Sequence, residues 1–404
     1  MATAGVVTRP FKWPEAIWAA GGAALIVLLG LLPLEAAWKA VASGADVYYF
    51  LIGMMLLSET ARREGLFDWV AVLAVNHAAG SPRRLFLLVY LIGTVITIFL
   101  SNDATAVVLT PAVFAVAKKA RTEALPLLFV CAFIANAASF VLPISNPANL
   151  VMYANHTPAL LDWLARFAVP SVLSIGATYA MLRWSQKKQL EGTCASGLDV
   201  HPLAPGGKLA LAGIALTAVA LMTVSAFDMQ LGLPTLMLGV LTTAVVLLRG
   251  GSSPWPVLKD VSWSVLPLVG GLFVLVETLA HTGVIHALAD ALQRLTRNDE
   301  TTGSAIAGAI VAFASNAINN LPTGLMASST ALQAHSPEVT VDALLIGVDL
   351  GPNLAITGSL ATILWLTAIR REGADVSFLQ FLKVGVLVMV PALVLALGAR
   401  LLLG

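Results

Sequence analysis

Charge is scarce in this chain. Only 11% of its 404 residues are Asp, Glu, Lys or Arg, and 58% are hydrophobic, whereas an ordinary soluble domain is about 25% charged. So little charge excludes a water-solvated globule. Uncharged stretches recur well beyond the roughly 20 residues that one membrane-crossing helix needs, which predicts an all-α polytopic membrane protein of about ten spans. The net charge of +1, without a long Lys/Arg run, excludes a nucleic-acid surface. The lipid bilayer is the partner this composition demands.

Cysteine is nearly absent as well. Cys131 falls in an apolar stretch and Cys194 in a polar one, too far apart for a paired metal motif. A soft ion held by three thiolates is excluded, so any such ion must be bound by oxygen and nitrogen groups. No metal centre and no cofactor is expected. HExxH, GxSxG and phosphate-cradling Gly-Lys-Ser/Thr motifs are also missing, which leaves enzymatic chemistry, ATP hydrolysis included, without a foothold. The amino terminus lacks the ordered regions of a secretory signal, and Trp18 to Leu34 reads as a retained first span. Trp13, Trp18, Trp38, Trp69 and Trp163 read as markers of the membrane interface. His77, His156, His281 and His335 lie near helix ends or loops.

What is present is a repeat. The most polar stretch, from Arg183 to Lys208, reads as a cytoplasmic linker. It separates an N-terminal span (1–46) and a first repeat (47–182) from the second half (209–404). LIGMMLLSETARREGLF (Leu51 to Phe67) aligns without a gap over VGGLFVLVETLAHTGVI (Val269 to Ile285), pairing Glu59 with Glu277 and Gly65 with Gly283, 218 residues apart. The same offset pairs Asn102 with Asn320 and Thr105 with Thr323. Repeated halves with a site at their interface are a common plan of secondary transporters.

The helices of each half must break. Between Arg84 and Lys118 the only charged residue is Asp103, and a continuous helix of that length would reach about 50 Å across a hydrocarbon core of about 30 Å. The cluster Ser101, Asn102, Asp103, Thr105 at its centre therefore predicts two helical pieces meeting at a tip. Such a tip is tolerated at membrane depth only where protein or a water-filled cavity covers it. In the second half SNAINNLPTG, with Asn319, Asn320, Pro322 and Thr323, predicts the same arrangement. ISNPANL (Ile144 to Leu150) and VDLGPNLAITGSLATILW (Val348 to Trp365) predict two further interruptions.

These motifs resemble a known family. IGVDLGPNLAITGSLATILWL (Ile346 to Leu366) is similar to the late signature of the ArsB permeases, NDATAVVLTP to their early one and NNLPT to their N-N-M-P-T, over about Val47 to Ile369. The resemblance implies two inverted repeats, each with a re-entrant hairpin and a broken transmembrane helix. It implies efflux of arsenite and antimonite across the cytoplasmic (inner) membrane in exchange for protons, alone or with a soluble ATPase partner. Asn353 stands where a Lys is common in that family, and Pro147 where an apolar residue is expected.

Arsenous acid is a neutral trihydroxide near neutral pH, suited to a ring of uncharged donors and acceptors. The candidate ligands are Asn102, Thr105, Ser145, Asn146, Asn149, Asn319, Asn320, Thr323, Asn353, Thr357 and Ser359. Export of a neutral solute gains nothing from the membrane potential, so a titratable group must carry the coupling ion. Asp103 and Asp349 are the first candidates, Glu59 and Glu277 the second. Two alternatives stay open on the residues: a sodium/proton antiporter or sodium-coupled anion carrier, since the same groups coordinate sodium, and more remotely an intramembrane enzyme.

Overall fold

A computed structural model describes residues 15–153, 157–199, 201–227 and 229–403; Trp13 and His156 lie outside them. The described residues form helices joined by short connections. Six helices are long and apolar enough to cross a membrane, and eight if each of two bent pairs counts as one span, with bends of 48° and 74°. Two interrupted segments, described below, fall outside that count.

The first half begins with α1 (Glu15–Leu28), α2 (Leu34–Ser43) and α3 (Ala45–Arg63), followed by α4 (Leu66–Ala78). Helix α5 (Pro82–Phe99) then leads to a tip at Leu100 and Ser101, and the chain returns through a wide turn (Thr105–Leu109) into α6 (Thr110–Lys119). Both open ends of this hairpin reach the same face. The N–H groups of Cys194 and Ala195, in the linker, donate to the carbonyls of Gly80 and Ala120 at 3.0 and 2.7 Å. Helix α7 (Ala124–Ala137) starts on that face and stops at an irregular stretch, beyond which α8 (Pro147–Met152) and α9 (Leu160–Ser185) follow.

After the linker, α10 (Pro205–Ala226), α11 (Gly232–Gly250) and the short α12 (Trp255–Asp260) lead into the second half. It comprises α13 (Val265–His281), α14 (Val284–Thr296), the hairpin α15 (Glu300–Ile318) and α16 (Asn320–Gln333), the interrupted pair α17 (Glu338–Leu350) and α18 (Leu360–Arg371), and α19 (Phe378–Leu403). The 218-residue offset carries through the helix boundaries. It superposes α4 on α14 and α9 on α19, and the left-handed turns at Gly65 and Gly283 have φ of 73° and 80°. A positive φ at both junctions is the conformation glycine adopts without penalty.

The halves are inverted. The second hairpin opens toward the face opposite the linker, where Gln293 of α14 donates to the carbonyl of Ala334 at 3.0 Å. On that face a charge cluster with a buried centre closes the helix ends: Arg400 donates to Asp342 through Nε at 2.8 Å, Tyr153 donates to Asp342 as well, and at the exposed edge Arg166 pairs with Glu338 at 2.7 Å. The linker face collects most of the described Lys and Arg residues, among them Arg62, Arg63, Arg83, Arg84, Lys118, Lys119, Arg183 and Arg371; it is called the cationic face below.

Packing divides the helices into two groups. Helix α11 runs along α3 so closely that Gly53 and Gly239 touch backbone to backbone, and α1 lies against α13 at Gly271 in the same way. Small residues at such crossings let van der Waals packing hold helices together where lipid supplies no hydrophobic drive. The hairpins and interrupted helices form the other group, with an aromatic core of Phe129, Phe133, Trp365 and Phe381. Trp163, expected at the membrane interface, is instead fully buried and donates to the carbonyl of Phe140 at 3.1 Å. Its ring packs on Tyr153 and Phe167, so internal packing and not the headgroup region fixes it.

Candidate functional site

Both hairpin tips are built on strained residues. Ser101 (φ 138°) and Asn319 (φ 76°) occupy the positive-φ region without being glycine, a conformation that persists only where surroundings enforce it. Each caps the helix that follows, Ser101 Oγ accepting from the N–H of Ala104 at 3.4 Å and Asn319 Oδ1 from that of Leu321 at 3.3 Å. Pro322 lies in the first turn of α16, where a missing N–H costs little. The chain therefore turns at Asn319, three residues before the proline that the sequence marked as the break. Thr105 pairs with Thr97 at 2.8 Å, and Thr323 donates to the carbonyl of Asn319 at 2.6 Å. Asn102 and Asn320, both buried, open the returning helical turns.

Each tip is stitched to the break of its own half. In the first, Ser145 Oγ donates to the carbonyl of Ile98 at 3.0 Å. In the second, Asn316 donates to the carbonyl of Gly351 at 2.9 Å and accepts from the N–H of Ala355 at 2.9 Å, while Thr357 donates to the carbonyl of Asn316 at 2.8 Å. Asn316 and Ile98 are repeat mates at the 218-residue offset. The breaks restart with capped helices, Asn146 accepting from Ala148 at 3.0 Å and Ser359 from Thr362 at 3.1 Å.

The two breaks cross, and there the halves bond to one another. Asn146 Nδ2 donates to Asp349 Oδ1 at 2.7 Å, and Asn136 Nδ2 donates to Asn353 Oδ1 at 3.0 Å. Asn353 in turn donates to the carbonyl of Phe133 at 3.0 Å, and Asn149 to those of Ser139 and Leu142 at 2.8 and 3.2 Å. Asp349, Asn353 and Asn149 are completely buried. Among the described residues no donor meets hydrogen-bond geometry at three acceptor oxygens of this crossing, Asp349 Oδ2, Asn136 Oδ1 and Asn149 Oδ1, although the Ser139 hydroxyl lies close to the Asp349 carboxyl. Buried polar atoms are satisfied in the great majority of cases, so these oxygens leave unused acceptor capacity at the crossing.

Asp103 is placed differently. It lines a cavity of about 70 Å³ between α3 and the first hairpin, with Met54, Ser58, Glu59, Ser101 and Pro147. This cavity shares walls with a vestibule of about 570 Å³ that reaches Arg62, Asp68, Arg371 and Glu372 on the cationic face. Pro147 also lines the inner cavity, and its neighbour Asn146 holds Asp349. Asp103 thus borders the cavity that adjoins the vestibule, whereas Asp349 is completely buried.

The two glutamates matched by the repeat have different surroundings. Glu59 is buried and accepts from Arg62 at 2.8 Å and from Arg63 at 3.1 Å. Both guanidiniums also reach Asp260, at 3.0 and 2.9 Å, and these bonds, that of Arg63 foremost, hold the Asp260 carboxyl below the usual carboxylate range. Glu277 is half exposed beside His281, 3.3 Å away, and lines an outer cavity with Glu35 and Lys39, apart from both tips. Among the described residues no group of three or more His, Cys, Asp or Glu side chains is arranged to hold a metal ion.

Asn136, Ser139 and Asn316 belong to this constellation and were not singled out from the sequence. Their signal was there: lone amides or a hydroxyl in otherwise apolar stretches, which are costly in a membrane unless they are used.

The sequence profile described as "Citrate transporter" matches residues 4–351. The chain belongs to the citrate transporter family. It is 27% identical over 394 residues to the arsenical pump membrane protein of Escherichia coli K12, covering 94% of this chain and 91% of that one. It is 26% identical over 389 residues to an uncharacterized transporter of Mycobacterium tuberculosis, covering 93% and 90%. Among solved structures the fold is similar to the Alcanivorax borkumensis YdaH transporter, with TM-score 0.60 at 15% identity over 91% of this chain and 86% of that one. It is also similar to Neisseria gonorrhoeae MtrF, with TM-score 0.52 at 13% identity over 94% and 83%. This member of the family is therefore a multi-pass membrane transporter with the inverted-repeat fold.

Proposed function

We propose that this transporter exports arsenite, and antimonite, from the cytoplasm across the inner membrane in exchange for protons. The observation that carries the reading is the chemistry of the crossing. Amides and hydroxyls line it, and among the described residues its only ionisable side chain is Asp349 and no cation faces it, which suits a neutral trihydroxide and gives a carboxylate substrate no counter-charge. The 27% identity to an arsenical pump membrane protein over nearly the whole chain supports the same assignment. The positive-inside rule puts the cationic face in the cytoplasm, so the vestibule to Asp103 is the cytoplasmic access. A soluble ATPase partner, if one acts, would dock there.

The substrate-binding groups on this reading are the tip residues Asn102, Thr105, Asn319, Asn320 and Thr323, together with the break residues Ser145, Asn146, Asn149, Asn353, Thr357 and Ser359. Asp103, at the cavity next to the vestibule, and Asp349, with one oxygen held by Asn146, are the proton carriers. Glu59 and Glu277 stand behind them. A second reading, sodium/proton antiport, is favoured by the three acceptor oxygens without donors, which could equally face a sodium ion. Expression in cells stripped of their own arsenite exporters separates the two. Arsenite export predicts a lowered cellular arsenite content and raised resistance without added sodium; unchanged arsenite content together with sodium-dependent proton movement would replace it by antiport.

A further inference from the structure

The vestibule on the cationic face and the inner cavity at Asp103 share one stretch of wall, the neck of the route. Two carboxylates, Glu59 and Asp260, line both compartments, together with Ser262 and apolar residues of the hairpin. Alone, these carboxylates would give the neck two negative charges, one on the buried Glu59 and one on the partly exposed Asp260. They do not stand alone. Arg62 bonds both Glu59, at 2.8 Å, and Asp260, at 3.0 Å, and Arg63 does the same at 3.1 and 2.9 Å. The tetrad sums to zero charge; its two carboxylates belong to the shared wall, and Arg62 lines the vestibule beside them.

The fold does not require this arrangement. At the repeat offset Arg62 and Arg63 correspond to Ala280 and His281, and Asp260 to Ala42, so the second half builds the same helices without it. Further out the vestibule carries Asp68, Arg371 and Glu372, a mixed rim that does not replace the arginines. A narrow cleft lined by one sign of charge concentrates counter-ions strongly, because its low-dielectric walls focus the field. A charge-balanced neck does not.

We propose that Arg62 and Arg63 are specificity-determining residues: by neutralising Glu59 and Asp260 they keep the neck indifferent to charge, so that an uncharged solute reaches the Asp103 cavity without competition from concentrated cations. The inference rests on the proposed export of a neutral solute for its purpose, but its physical content, the neutrality of the neck, is measured without any substrate.

The test uses the full-length transporter in membranes, with Cys131→Ala and Cys194→Ala to remove native thiols and Ser262→Cys as the reporter in the neck. The quantity read is the ratio of modification rates by a cationic and an anionic methanethiosulfonate reagent, normalised to a free thiol in solution. With the tetrad intact the ratio stays near one. Arg62→Gln with Arg63→Gln raises it about tenfold, which a local potential of roughly one kT gives because the cation and the anion respond in opposite senses. Glu59→Gln with Asp260→Asn lowers it below one, and the quadruple variant returns it to the starting value, which separates a charge effect from damage to the fold. A ratio that stays within about twofold in both paired variants, or a reporter that reacts only after denaturation, overturns the inference. Shifted ratios in a protein that moves no arsenite would remove the proposed substrate and leave the neutral neck standing.

Discussion

Asn146 of the first half donates to Asp349 of the second at 2.7 Å, and the same amide caps α8 through its oxygen at 3.0 Å. One side chain thereby ties the restart of one broken helix to the buried carboxylate of the other. A change in the charge of Asp349 would act directly on an amide of the opposite repeat.

Asp349→Asn keeps an acceptor for Asn146 and removes the ionisable group. It is expected to leave stability within about 1 kcal/mol of the parent and to abolish the response of transport to a proton gradient. Thermal unfolding in detergent and transport at imposed pH gradients check the two halves of this expectation separately. Asn146→Ala, in contrast, strips the buried carboxylate of its donor and should cost about 1–3 kcal/mol.

Asn353→Ala removes the acceptor of Asn136 and the donor to Phe133 in a fully buried place. The expected loss is about 1–3 kcal/mol for the polar groups left unpaired, read as a lowered Tm of the purified protein. A Tm equal to the parent's would mean that these groups find other partners.

On the opposite face Arg400 and Asp342 form a buried ion pair, with side-chain exposures of 5% and 0%. Arg400→Ala leaves the Asp342 carboxylate buried with its main counter-charge gone and should cost about 3–5 kcal/mol. Replacing both partners with Leu should recover much of that loss. Tyr153→Phe, which removes a single donor to Asp342, should cost only about 1–2 kcal/mol. Denaturation of the three variants side by side tests the order.

A methyl group at Gly53 would overlap the Thr235 carbonyl of α11, whereas one at Gly21 meets nothing within 4 Å. Gly53→Ala should therefore push α3 and α11 apart and destabilise the protein by about 1–3 kcal/mol, with Gly21→Ala as the unaffected control. Melting curves of the two variants decide it.

Much of this architecture was legible in the sequence because intramembrane polar residues are rare enough to align. The offset that pairs Glu59 with Glu277 also places α14 on α4 and α19 on α9, and it sets Ser101 on Asn319, the two strained tip residues. The crossing was less legible. Asp349 and Asn136 are each the penultimate residue of the helix before a break, yet they lie 213 residues apart, a five-residue slip in the repeat that hides the pairing of an amide with a carboxylate. Matching Glu59 with Glu277 correctly aligned the repeat but said nothing of their settings. Two arginines surround the one, and the other faces outward beside His281, because neighbours outside the matched positions determine where a carboxylate can rest.

The central claim is that arsenite leaves the cell in exchange for protons carried by Asp103 and Asp349. Its most direct test is arsenite uptake into everted membrane vesicles energised by a proton gradient, with and without sodium, for the parent, Asp103→Asn and Asp349→Asn. The account predicts sodium-independent accumulation by the parent and its loss in both variants. Gradient-driven accumulation that survives both substitutions would contradict the assignment of the carriers, and a gradient collapsed by sodium without arsenite uptake would contradict the substrate.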